Sequence, residues 1–142
     1  MNKESILGQL RWSLQALACQ ADAQMSLYPD FVCQADELVL DFAHWRDVAI
    51  SNFGSEFTPE SLRLLADIDT KLSEMSRKGS LFHEELWTPE GLRRDPNWEE
   101  IRATARAALQ SFDWPVENPG PSTSIYVPSK VSASKKVSPN PL

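Results

Sequence analysis

Apolar residues recur at three- and four-residue steps through four stretches of the chain, and that spacing predicts amphipathic helices. Over about residues 5–23, Ile6, Leu7, Leu10, Leu14, Leu17, Ala18 and Ala21 form one stripe, with Asn2 or Ser5 available as a cap. Trp12, Ala16, Cys19 and Ala23 form a second stripe nearly opposite the first. A helix apolar on two faces is either sandwiched within its own domain or touches another chain. A second helix is predicted over about 36–53, where Leu38, Val39, Phe42, Trp45, Arg46, Ala49, Ile50 and Phe53 gather on half the circumference. The third, about 59–77, opens on Thr58-Pro59-Glu60, a capping hydroxyl followed by proline at the first helical position. Leu62, Leu65, Ile68, Leu72 and Met75 carry its core face, and Gly79 is placed to close it. The last opens on Asp95-Pro96 and runs to about Ser111 with Trp98, Ile101, Ala105, Ala108, Leu109 and Phe112 on its apolar side.

Two connections are too apolar for solvated loops. In residues 24–34, Pro29 stops any helix, while Met25, Leu27, Tyr28, Phe31 and Val32 are expected to lie across the bundle. Residues 80–95 read as irregular, with a short turn opening at Thr88-Pro89-Glu90 and Leu81, Phe82, Leu86, Trp87 and Leu92 capping one end of the core. The expected fold is therefore all-α, a small bundle of about four amphipathic helices over residues 1–112. Residues 113–142 hold six prolines, six serines and three lysines, a composition that cannot bury enough apolar surface to offset ordering. They are expected to be a disordered Pro/Ser/Lys-rich C-terminal tail that makes no stable contact with the body beyond about residue 115. Within it only Ile125-Tyr126-Val127 has the character of an anchor, with Lys130, Lys135 and Lys136 adding positive charge.

Charge narrows the partners. The net charge is −6, and residues 1–112 hold eighteen acids against eleven bases. An acidic body makes nucleic acid an unlikely partner, because phosphates require Lys and Arg, and suits a basic protein. No apolar run approaches a membrane span, and the mixed-charge start lacks the apolar stretch of a signal peptide, so the expected location is cytoplasmic. The two cysteines, Cys19 and Cys33, have no metal-binding spacing and no adjacent base to activate them.

Little in the sequence points to catalysis. There is no glycine-rich phosphate loop. Arg102 and Arg106, preceded by Glu99 and Glu100, read as an ordinary salt-bridged face. Glu37, Asp41 and His44 fall at i, i+4 and i+7, and His83 could complete a metal set with them. Measured from a core face centred near Phe42 and Trp45, however, His44 projects to the opposite side, so the alternative is a solvated acidic edge favoured by the helix dipole. No cofactor is expected. The stronger feature is the acidic-aromatic character of residues 28–47. The expected function is a small acidic protein-binding module, an inhibitor, immunity-like protein or accessory subunit that occupies a partner surface. Its expected contact residues are Trp12, Tyr28, Asp30, Asp36, Glu37 and Asp41. The second class is a small helical enzyme or ligand-binding domain with a site around Asp41, His44 and His83. A polar pocket joining the two histidines would mark the second class, and an exposed apolar patch holding Trp12 the first.

Overall fold

Helix starts follow the caps written in the sequence. In the computed structural model, which describes residues 2–121 and the backbone of 125–127 and 135–137, Asn2 Oδ1 accepts from Ser5 N and opens α1, Lys3–Ala18. After α2 (Ala21–Ser26) and α3 (Gln34–Phe53), Thr58 Oγ1 accepts from Ser61 N and opens α4, Pro59–Met75. Thr88 Oγ1 accepts from Gly91 N at the start of α5, Pro89–Arg94, and Asp95 Oδ1 accepts from Asn97 N at the start of α6, Pro96–Ser111. Three of these helices carry proline in the first turn, where its missing N–H costs nothing. Short 3₁₀ turns at Gly54–Glu56 and Glu84–Trp87 follow α3 and precede α5. The fold is the expected all-α bundle.

The helices pack in the lateral order α3, α1, α6, α4, with α2 and α5 at one end. That order resolves the two stripes of α1. One side faces α3 and the other faces α6, so Leu10, Leu14, Ala16, Leu17 and Cys19 are all buried within the chain. Phe42, Leu65, Ile68, Leu72, Trp98, Ile101 and Leu109 complete the same core. Trp45, expected there, is only partly buried and meets His44 edge-on.

The expected helix 5–23 is broken at Cys19 and Gln20, both extended. The break leaves the last carbonyls of α1 without helical donors. Gln24 Nε2 supplies Ala16 O and Leu17 O, both at 3.0 Å, and an Arg106 amino group supplies Ala18 O at 3.3 Å. Gln24 is in turn held by Arg102, which is 1% exposed and donates to Gln24 Oε1, Leu92 O and Glu99 Oε1. The face read as a simple surface salt bridge is thus a buried polar clamp that joins α1, α2, α5 and α6.

At the far end of α4 the helix stops at Ser76, earlier than Gly79. Lys78 takes a left-handed φ of 75°, and Leu81 N bonds back to Glu74 O at 2.8 Å. A Cβ on Gly79 would lie 2.2 Å from Glu74 O, so only glycine permits this close return.

The chain after α6 also returns to the body. Trp114 stacks on Phe112 at 4.3 Å, Gln15 Nε2 donates to Pro115 O, and Trp12 Nε1 donates to Gly120 O at 2.8 Å. The expectation of no contact beyond about residue 115 therefore fails for residues 115–120. Two side chains on α1 thus donate to carbonyls of the proline-rich segment that follows α6. Further on, the backbone of Ile125–Val127 pairs antiparallel with that of Lys135–Val137. Lys130, and the side chains of Ile125, Tyr126, Val127, Lys135 and Lys136, lie outside the described residues.

Candidate functional site

The residues singled out in the sequence separate into three environments. Trp12 is half-buried, edge-on to Tyr28 at a centroid distance of 6.2 Å, with its indole N–H engaged by Gly120. Ala16 and Cys19 of the same stripe are interior, and Ala23 is partly covered. Tyr28, Glu37 and Asp41 are all internal. Tyr28 is buried, Glu37 is 0% exposed and Asp41 2% exposed, and the Tyr28 hydroxyl donates to Asp41 Oδ2 at 2.7 Å. Only Asp30 and Asp36 stay at the surface. The solvated acidic edge expected for Glu37 and Asp41 is corrected here. The connection between α2 and α3 crosses this side of α3 and lays Tyr28 over it.

The set Glu37, Asp41, His44 and His83 does not assemble. Glu37 and Asp41 point inward, His44 is exposed beside Trp45, and His83 is exposed and pairs with Asp95 at 3.1 Å. Among the described residues no group of three or more His, Cys, Asp or Glu side chains is placed to hold a metal ion. No helix among them is long and apolar enough to cross a membrane.

Both thiols are held in their neutral form. Burial pushes Cys19 up to about 11, against smaller opposing effects of a backbone hydrogen bond and Arg102. Burial also raises Cys33, whose Sγ lies 3.5 Å from Trp87 O. Neither has the lowered pKa of a nucleophile.

A surface concavity lies elsewhere, between α3 and the segment linking α4 to α5. It is an open groove of about 480 Å³ lined by Asp36, Val39, Leu40, Ser76, Arg77, Phe82, Glu84 and Trp87. Asp36, Val39 and Leu40 fall at i, i+3 and i+4 and so share one face of α3. Leu40 stands 55% exposed, the largest exposure among the big apolar side chains of the described residues. Phe31, on the preceding connection, is 50% exposed.

The opposite wall is fixed in place. Trp87 Nε1 donates to Met75 O at 2.9 Å, and its ring meets the buried Trp98 edge-on at 5.5 Å. Trp98 Nε1 donates to Leu86 O at 2.7 Å, which pins the 3₁₀ turn to α6. Phe82 carries the Arg77 guanidinium over its ring at 5.4 Å. Each indole N–H thus has a backbone partner, which holds Trp87 in place as an apolar part of the lining.

In the sequence, Phe82 and Trp87 read as residues closing the core, and Leu40 carried no role. The signal for Leu40 was its phase. At 100° per residue it lies about 160° from Phe42, off the core stripe altogether. No family model matches the chain, and comparison with curated proteins and with solved structures finds no similar protein.

Proposed function

We propose that the chain is a protein-binding module, an inhibitor or accessory subunit that acts by occupying a partner's surface through the groove between α3 and Trp87. The observation that carries this reading is Leu40. A leucine more than half exposed, beside a phenylalanine and a tryptophan fixed by its indole hydrogen bond, is an anchor with its pocket already formed. Interfaces are rich in Trp, Phe and Arg at their centres and polar at their rims. This groove has that composition, with Asp36 and Glu84 at its edge. The acidic surface residue Asp36 stays in the contact set, and Leu40, Phe82 and Trp87 take the place given to Trp12 in the sequence.

The test is a paired capture from the native cell, with the full chain and its Leu40→Asp variant as baits. Leu40 faces solvent, so the variant should unfold within about 0.5 kcal/mol of the parent. A protein retained by the parent and lost by the variant supports the reading. An identical set of captured proteins sinks it.

A further inference from the structure

We infer that the groove receives a short amphipathic helix from the partner, with one aliphatic side chain seated against Leu40 and Trp87 and with lysine or arginine flanking it. This rests on the docking reading above and names the chemistry of the occupant.

The shape argues for a helix. Asp36, Leu40, His44 and Asp47 are all exposed and succeed one another at steps of four, four and three along α3. They form a ridge that runs past the groove, and ridges on one helix pack into the grooves of another. A peptide that docks by strand addition would need a free sheet edge to complete its backbone hydrogen bonds. The groove is walled by a helix, a turn and side chains, and no strand lines it.

The charge argues for a basic helix. Asp36 and Glu84 line the groove, whereas Asp47 further along the ridge is already paired with Arg46 at 3.2 Å. The base in the lining, Arg77, lies over the face of Phe82 and keeps its charge, so the acids of the lining outnumber it two to one. Residues 1–112 as a whole carry eighteen acids against eleven bases. A second copy of the chain would bring the same excess of negative charge and be repelled. A partner with flanking cations is attracted during encounter and finds counterions at the rim once docked.

The experiment uses three labelled synthetic peptides of about 18 residues, long enough to hold a helix. The first carries a leucine stripe with lysine on the polar face. The second replaces lysine by glutamate. The third has the composition of the first with the stripe scrambled. Binding to the full chain is read by fluorescence anisotropy. The first peptide should bind at least about tenfold more tightly than either of the others at low salt. Leu40→Ser should weaken it about tenfold, with the helical circular dichroism of the protein unchanged. Asp36→Lys combined with Glu84→Lys should invert the order of the first and second peptides. Equal binding of the lysine and glutamate peptides, both weakened by Leu40→Ser, would overturn the basic complement and leave the docking reading standing. Binding indifferent to Leu40→Ser would overturn both. A scrambled peptide as tight as the first would reduce the effect to non-specific attraction and also overturn the inference.

Discussion

Replacing Arg102 should destabilise the protein far more than a surface arginine would. Its guanidinium is 1% exposed and donates to Gln24 Oε1 at 3.0 Å and to Leu92 O at 3.2 Å. The Leu92 carbonyl depends on it, because the residue four positions on is Pro96, which has no N–H to give. Gln24 depends on it for orientation, and Gln24 Nε2 is what satisfies the last carbonyls of α1. Arg102→Met keeps most of the apolar stem and removes the fork, leaving two buried acceptors without a donor at about 1–3 kcal/mol each. The lost pair with Glu99, whose side chain is half exposed, adds at most about 1 kcal/mol. The sum is about 2–7 kcal/mol, a large share of the roughly 5–15 kcal/mol expected for a domain. Urea unfolding followed by tryptophan fluorescence measures it directly. Combining Arg102→Met with Gln24→Met in a double-mutant cycle should give a coupling of about 1.5–3 kcal/mol. A loss below about 1 kcal/mol for Arg102→Met, or a coupling of zero, would refute the clamp.

Truncation after Phe112 removes the Trp114 stack and the acceptors of Trp12 and Gln15, and should cost about 1–3 kcal/mol in the same assay. An unchanged unfolding midpoint would mean that residues 113–121 contribute nothing. Tyr28→Phe deletes the donor to buried Asp41 and should cost about 1.5–3 kcal/mol, which thermal unfolding of the variant checks. Burial raises the Cys19 thiol to about 11, so the folded state favours the protonated form. The associated stability is present in full below the unfolded pKa near 9.0 and declines as pH rises toward about 11. Urea midpoints of the parent should fall over that window more steeply than those of Cys19→Ala, and equal slopes would contradict it.

Local signals were legible where one residue type does one job. Thr58-Pro59 and Asp95-Pro96 each open a helix as their cap chemistry requires, and Thr88-Pro89, expected to open a short turn, opens the six-residue α5. The break in α1 was not legible, because Ala18, Ala21 and Ala23 continue the helical pattern through Cys19 and Gln20. What ends the helix is a tertiary arrangement, Gln24 and Arg106 taking over its carbonyls, and neither residue looks like a cap from sequence. Arg102 was misread for a related reason. Glu99 at i−3 is a local partner visible in sequence, whereas Gln24 is brought to Arg102 only by the fold. The groove was the least legible feature. Val39, Phe82 and Trp87 have core composition, and only the absence of a helix over that side of α3 leaves them facing a concavity.

Asp36 and Glu37 make the separation of fold from recognition measurable. They are adjacent in sequence and read there as one acidic patch, but adjacent helical residues point 100° apart. Asp36 is exposed and lines the groove beside Leu40, while Glu37 is 0% exposed. Charge reversal should therefore act on different quantities. Asp36→Lys should cost no more than about 0.6–2 kcal/mol, through the dipole at the first turn of α3, and slow association with the lysine-bearing peptide, because rim charges act mainly on encounter. Glu37→Lys should cost about 3–5 kcal/mol, because it forces a cation into a site that holds a buried carboxylate and leaves the neighbouring groups without it. Reversing both at once would mix the two effects and report only a misfolded protein. If Glu37→Lys is tolerated and Asp36→Lys unfolds the chain, the phase of α3 is wrong by one residue. The groove would then have to be redrawn around the other edge of the helix.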